Sequence, residues 1–481
     1  MPARRAYSLY EVALKRGDEL EVQIEKFADR GKSLARLDGY VVFVAGAVPG
    51  DRVRVRILKR KKKYAEAHLI ELLEPSPLRT TPRCSYFGTC GGCKWQHVDY
   101  AAQLEAKQQS VQEAFIHQGG FQEVMVRPVI GSMRPYFYRN KMEFSFSAQR
   151  WLTPEEIASG DRFNTDFALG LHVPANFSKV LDLKACYLQS ELSIRLVNGV
   201  RDFVTAQEWT PWHVRQHTGF LRHLVIRLGV HTEEVMLNLV TNGFDEARMA
   251  GMATFLQETF PEVTTFVNTV NTGVAQTAFG EAIHTIYGPG VIHETIGPLR
   301  FEIAPNAFFQ TNTWQAEKLY EVARDFAALR PDDLLYDLYC GAGTISLFLA
   351  SQVRHVVGVE LIEEATANAR ANAAANGIDN VTFLTGDLMR TFTPAFVQEN
   401  GRPDVLIVDP PRAGMHPKVV EQIARLKPER FVYVSCNPQS QARDLALLSE
   451  VYTIEAVQPV DLFPQTYHVE NVAQLKLREP G

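Results

Sequence analysis

The chain has 481 residues, of which 46% are hydrophobic and 22% charged, and its formal net charge is −5. Such a length exceeds one ordinary hydrophobic core, so two or three domains are expected, and the balance of residues excludes a disordered or fibrous chain. No uninterrupted apolar run is long enough to span a bilayer, and the start MPARRAYSLYEVALKRGDE lacks an apolar core and a small-residue cleavage site, so a cytoplasmic location without a membrane partner is expected.

Residues 8–75 read as a small β-domain, because LEVQIEKFA, SLARLDG, YVVFVAGAV, DRVRVRILK and AEAHLIELLE are β-rich runs separated by turn signals such as DG and PG. The pattern suits a five-stranded barrel of the oligonucleotide-binding type. Within it Lys59, Arg60, Lys61, Lys62 and Lys63 form one basic run beside Arg52, Arg54 and Arg56. The run offers phosphates a local contact, although a solvated edge strand and turn explains it equally well when it is taken alone. The segment EPSPLRTTP, with three prolines, reads as a linker.

From residue 76 to about 300 the pattern is mixed, with a helix at DYAAQLEAKQQSVQEAFIHQG and strands at KMEFSFSA, HLVIRLGV and VMLNLVTN; no topology follows from it. From residue 301 to 481 strands and helices alternate. The strands are LLYDLYCG, HVVGVEL, VTFLTGD, DVLIVDPP and FVYVSCNP, and the first runs into a glycine turn and the helix TISLFLASQ. This is the pattern of a doubly wound, Rossmann-like α/β domain with its ligand at the carboxyl ends of the strands.

In DLYCGAGTIS, Asp337 to Ser346, Gly341 and Gly343 allow a tight turn and close approach to a ligand. The next strand ends in VVGVE and places Glu360 about 20 residues on, where such folds bind ribose hydroxyls. The turn lacks the third glycine of a dinucleotide site and the Gly-Lys-Ser/Thr of a phosphate loop. S-adenosylmethionine, which has ribose hydroxyls and no phosphates, therefore fits better than NAD or ATP. Asp387 in TGD is placed for the adenine side of that cofactor and Asp409 in VDPPR for the reaction side. Either residue alone reads more simply as a helix cap.

Cys436 in FVYVSCNPQS follows an apolar strand. A lone cysteine is usually an inert buried residue unless it has a chemical task. Here a task exists. Carbon 5 of uracil is a poor nucleophile, and addition of a thiolate to carbon 6 makes it an enolate that can take a methyl group from a sulfonium. A base must then remove the proton on carbon 5, and Glu470 in YHVENV, on a late strand, is the natural candidate.

Together these residues resemble the RNA uridine-5-methyltransferases that act on ribosomal and transfer RNA. The resemblance covers nearly the whole chain, with a TRAM-type barrel, FFQTN, DLYCGAGT, VVGVE, DPPRAG, VSCNP and HVE in the family's order. It implies Cys436 as nucleophile, Glu470 as general base, and cofactor contacts from Gln310, Tyr339, Glu360, Asp409 and Asp387. Some members carry Asn where this chain has Thr344, so that position departs from the pattern. The basic run Lys59 to Lys63 gains an RNA role from this context.

Cys84, Cys90, Cys93 and Cys186 fall in one region, and four thiolates suit tetrahedral zinc or an iron-sulfur cluster. Resemblance to the ribosomal-RNA branch implies a [4Fe-4S] cluster in a central α+β domain, with a structural or RNA-positioning task. It also favours 23S ribosomal RNA over transfer RNA. Cys340, within the cofactor turn, reads as a small strand-end residue. His468 and Asp461 lie near the base and either orient it or serve as structural hydrogen-bonding groups; YRNK, Tyr138 to Lys141, either holds RNA or packs a tyrosine among solvated charges.

Two other readings compete. An amino-group methyltransferase would share DPP but need no thiol, and a catalytically silent RNA-binding protein would share the barrel and cysteines but need neither Cys436 nor Glu470. Nothing in the pattern demands more than a monomer or an obligate protein partner.

Overall fold

The structure, a computed structural model, describes residues 14–174, 176 and 178–479, so residues 8–13 of the expected β-domain lie outside the described residues. These residues form two compact units. One holds the chain up to Gly88, Gly92–Ala106 and Gln465–Tyr467; the other holds Thr89–Gly91, Lys107–Pro464 and the chain from His468. The boundaries expected after residues 75 and 300 fall inside these units. No helix among the described residues is long and apolar enough to cross a membrane.

The first unit has six strands rather than the expected five, in the order Glu19–Gln23, Arg52–Arg60, Tyr64–Glu74, Tyr40–Ala45, Ser33–Leu37, Lys26–Phe27. The additional strand, Lys26–Phe27, lies within the run LEVQIEKFA, which reads as a single strand in the sequence. Alternation in RVRVRILKR turns Val53, Val55 and Ile57 onto a core with Val22, Val42, Val44 and Ala65, and leaves the arginines outside. The proline-rich segment is no free linker. Buried Asp51 accepts from Ser76 N at 2.9 Å and pairs with Arg79 at 2.7 Å, pinning that segment to the barrel.

The second unit carries an eight-stranded sheet in the order Ala282–Tyr287, Thr265–Val270, Val235–Thr241, Leu221–Leu228, Lys141–Ser147, Ala168–His172, Val180–Asp182, Arg150–Trp151. Next comes a hairpin of Ile292–Ile296 with Leu299–Ile303, and then a seven-stranded sheet. Its order is Val381–Thr385, His355–Glu360, Leu334–Leu338, Val405–Val408, Arg430–Ser435, Glu470–Leu477, Tyr452–Val460. The first five strands are parallel, as their near-continuous apolar runs require when both faces are covered. Glu470–Leu477 enters antiparallel beside Arg430–Ser435, so the Rossmann-like sheet is mixed. The helices Thr313–Ala327 and Thr344–Ala350 contribute Ala316, Leu319, Ala323, Ile345 and Leu349 to the core on one face.

Candidate active site

The carboxyl end of Leu334–Leu338 is built as a cofactor turn. Tyr339 (φ +67°), Gly341 (φ +54°) and Gly343 (φ +76°) all take the left-handed conformation, which is costly for a tyrosine and free for glycine. Tyr339 N and Cys340 N both donate to Val359 O, at 2.9 and 3.2 Å, which fixes the turn to the neighbouring strand. A side chain on Gly343 would meet Phe383 at 2.7 Å, whereas one on Gly341 would meet nothing within 4 Å, so the turn faces open space at Gly341. The Glu360 carboxylate closes one wall by accepting Gly341 N at 3.0 Å and Ile362 N at 2.9 Å. A carboxylate has about four lone-pair sites, so acceptor capacity remains for ribose hydroxyls. An open glycine turn beside a strand-end carboxylate fits S-adenosylmethionine.

Other expected residues divide. Asp387 caps the helix Leu388–Thr391, accepting Met389 N at 3.0 Å, so the simpler of its two readings describes its hydrogen bonding. The Thr344 hydroxyl is engaged by Tyr320 Oη at 2.9 Å. Cys340 is buried and burial holds its thiol well above the ordinary value, as expected of a packing residue. Beneath the turn, Asp337 is fully buried and accepts from Ser346 Oγ at 2.5 Å, while its Oδ1 has no partner among the described residues. Burial pushes its carboxyl up to about 7.

Two strands along, the register brings the nucleophile and base candidates together. Arg430–Ser435 pairs with Glu470–Leu477 as far as Ser435↔Asn471, so one step further places Cys436 opposite Glu470. The two strands are tied behind this pair. Gln441 Nε2, on the helix Pro438–Ala446 that follows Cys436, donates to Tyr433 O at 2.7 Å, and Asn471 Nδ2 donates to Gln441 Oε1 at 2.5 Å. Asn437 Nδ2 donates to Arg412 O at 2.9 Å, which joins the cysteine loop to the DPPR loop.

The electrostatics follow from this grouping. Burial, then Glu470 and Asp409, push the Cys436 thiol up to about 11, with Arg412 opposing. Burial and Asp409 push Glu470, only 5% exposed, up to about 8, again against Arg412. Asp409 is itself pushed up to about 7 by burial and Asp337. The site thus holds a protonated thiol beside a carboxyl group poised near neutrality, the range in which a general base works best.

Gln310 lies on the loop between Leu299–Ile303 and Thr313–Ala327. Asn140 clamps that loop, its Nδ2 donating to Gln310 O at 2.8 Å and Thr313 Oγ1 at 2.9 Å. Asp461 forms a fully buried ion pair with Lys107 at 2.6 Å, which makes it a structural group near the base. His468 packs edge-on to Phe463 at 6.1 Å, and burial followed by Arg412, Lys107 and Arg139 pushes its imidazole down to about 4, so it is neutral there. Sequence reasoning gave no role to Gln441, Asn437 or Lys107, and met Asn140 only within YRNK. The only signal was Asn437 before Pro438, a helix-capping pair that is common in any protein.

In the first unit Lys59 to Lys63 are exposed at the end of Arg52–Arg60 and the turn that follows. Among the neighbouring arginines, Arg54 is paired with Glu71 at 2.6 Å and Glu21 at 3.2 Å, and Arg56 with Glu19 at 2.6 Å. Of the four cysteines, Cys84 and Cys93 belong to the first unit and Cys90 and Cys186 to the second, and none is in a disulfide. Gln96 bridges two of them, accepting Cys84 N and donating to Cys93 Sγ, both at 3.1 Å. The donors suit an iron-sulfur cluster chemically, but among the described residues no three His, Cys, Asp or Glu side chains are gathered as a metal-ligand group.

Comparison with known proteins bears on this geometry. Residues 297–478 match the tRNA (Uracil-5-)-methyltransferase family and residues 13–70 the TRAM domain. The chain is 42% identical to an RNA methyltransferase of Bacteroides thetaiotaomicron, over 94% of this chain and 100% of the relative. It is 43% identical to another of Chlorobaculum tepidum, over 96% and 97%. Among solved structures it is similar to the Pyrococcus abyssi tRNA (uracil-54, C5)-methyltransferase in complex with S-adenosyl-L-homocysteine. That likeness has a TM-score of 0.73 and 29% identity, covering 95% of this chain and 100% of that one.

Proposed function

Since the chain belongs to the RNA uracil-5-methyltransferase family and its methyl donor is S-adenosylmethionine, we propose that it methylates carbon 5 of a uridine in 23S ribosomal RNA through a covalent bond from Cys436 to carbon 6. The observation that supports the reading is the charge interaction of Cys436 with Glu470 and Asp409, one step past the Ser435↔Asn471 pair. A plain amino-group methyltransferase has no use for that pair.

The roles follow from the chain's own groups. Cys436 must release its proton to solvent to attack, which burial and the carboxylates resist and Arg412 favours. The sulfur-carbon bond raises electron density on carbon 5, which would take the methyl group from the sulfonium of bound S-adenosylmethionine, leaving S-adenosylhomocysteine. Glu470 then removes the carbon 5 proton, the bond to carbon 6 breaks, and the electron pair returns to Cys436 as thiolate. Tyr339, Glu360 and Gln310, with Asp387 and Asp409, line the cofactor side. Lys59 to Lys63 hold RNA phosphates from the barrel, residues 8–75, and the segments 76–300 and 301–481 supply selection and catalysis in a cytoplasmic enzyme.

The ribosomal substrate is favoured because the barrel and four cysteines occur together. Likeness along 95% of the chain to a transfer-RNA enzyme supports the second reading, the same chemistry on transfer RNA. Mass mapping of 5-methyluridine in both RNA pools, from cells lacking the protein and cells carrying it or its Cys436→Ala variant, separates them. A ribosomal position lost and restored only by the unaltered chain supports the first reading. A transfer-RNA position supports the second, and no lost position supports a silent RNA-binding protein. Ligation of a [4Fe-4S] cluster by Cys84, Cys90, Cys93 and Cys186 rests on donor chemistry and resemblance, and is tested by iron and sulfide analysis of anaerobically purified protein; absence of both rejects it.

A further inference from the structure

The eight-stranded sheet has one unusual polar face. Along Lys141–Ser147, Met142, Phe144 and Phe146 are buried, while Lys141, Glu143 and Ser145 alternate onto the other face. The neighbouring strand sets Arg227 directly opposite Lys141 and His223 opposite Ser145. Two cations paired across adjacent strands repel each other, and a fold gains nothing by placing them so unless an anion joins them. Glu143 offsets part of that charge, with Lys141 Nζ at 2.5 Å from its Oε1. Arg139 lies two residues before Lys141 in the chain, with its guanidinium over Phe463 at 5.8 Å.

Two of these cations have unused hydrogen-bonding capacity. Arg227 is 3% exposed and donates to Ala307 O, yet its Nε has no partner among the described residues, and neither has Arg139 Nε. The Lys141 side chain remains 22% exposed and can reach a ligand. The stripe also leads to the reaction centre. Asn140, between Arg139 and Lys141, holds Gln310 O at 2.8 Å, and Phe463 beneath Arg139 packs against His468, two residues before Glu470. We propose that Arg139, Lys141 and Arg227 form a phosphodiester subsite that holds the RNA backbone beside the target uridine, with Lys141 exchanging Glu143 for the phosphate on binding. The proposal rests on the RNA-methylating function above.

The test uses the full chain and a fluorescently labelled single-stranded uridine dodecamer, with affinity followed against KCl concentration and S-adenosylmethionine binding followed in parallel. Lys141→Gln is expected to weaken RNA binding about tenfold at low salt and to reduce the slope of log affinity against log salt by about 0.7, the share of one phosphate on a single strand. Lys141→Arg should keep the slope of the unaltered chain, and both variants should bind S-adenosylmethionine normally. An unchanged slope in Lys141→Gln overturns the subsite, as does an equal loss in both variants, which would make the residue structural. If the unaltered chain methylates no RNA, the function reading fails instead, and mass mapping detects that separately.

Discussion

Cys436 and Glu470 each lie one residue past the Ser435↔Asn471 pair of two antiparallel strands, close enough that the Glu470 carboxylate raises the Cys436 thiol. Groups so placed can work in sequence on one ring, one bonding carbon 6 and the other taking the proton from carbon 5. Cys436→Ala should abolish methyl transfer, whereas Glu470→Gln should methylate and then fail to release. In a denaturing gel with substrate RNA, Glu470→Gln is expected to give a slow-migrating protein-RNA adduct and Cys436→Ala none, with turnover lowered by at least about 100-fold in both. Free turnover by Glu470→Gln would remove it from the role of base.

The thiol in that pair is protonated at rest, which affects its reactivity. Only the thiolate is alkylated, so iodoacetamide should modify Cys436 slowly near neutrality and faster as pH rises towards about 11. Glu470 contributes to this by its negative charge. Above the Glu470 titration at about 8, Glu470→Gln removes that charge, so the alkylation midpoint of Cys436 should fall. Peptide mass spectrometry of the alkylated residue across pH checks the direction, and a midpoint that rises or stays would contradict the proximity of the two groups.

Lys107 and Asp461 carry the heaviest structural charge pair near the site, fully buried with 2.6 Å between them. Lys107 Nζ also donates to Phe463 O at 3.1 Å. Breaking a buried pair leaves its partner as an uncompensated charge, so Lys107→Met should cost about 3–5 kcal/mol in urea unfolding. Replacing both residues, Lys107→Met with Asp461→Asn, should cost less than the single change, because no lone charge remains. A double variant no more stable than the single one would show that packing, not charge, holds this position.

How much of this was legible depended on whether the deciding interaction is local. The five parallel strands were readable because burial on both faces writes near-continuous apolar runs, and Cys436 and Glu470 stood out as candidates because the proposed chemistry demands a thiol and a base. Tyr452–Val460, whose edge position and proline mask it, was not read as a strand. Lys107 looks like a solvated helix residue, and its partner is 354 positions away. EPSPLRTTP looked like a linker because Asp51, which pins it, is a distant part of the chain. Asp387 shows the converse, since its capping bond with Met389 is local and was legible beside the cofactor reading.

Asp337 ties the cofactor turn to stability. Burial raises its carboxyl from the ordinary value near 4 to about 7, so between those values the folded chain holds a proton that the unfolded chain has lost. The folded state is then favoured at low pH, and this contribution is lost as pH rises through about 7, at a slope of at most about 1.4 kcal/mol per pH unit. Asp337→Asn keeps the shape and removes the titration. The difference in melting temperature between Asp337→Asn and the unaltered chain should therefore grow in favour of the variant as pH is raised from about 5 to about 8. Taking the difference cancels the buried histidines, whose depressed values act in the opposite direction and are common to both chains. A difference independent of pH would mean that Asp337 is already ionised in the folded chain, with Ser346 Oγ and a further donor sustaining the charge.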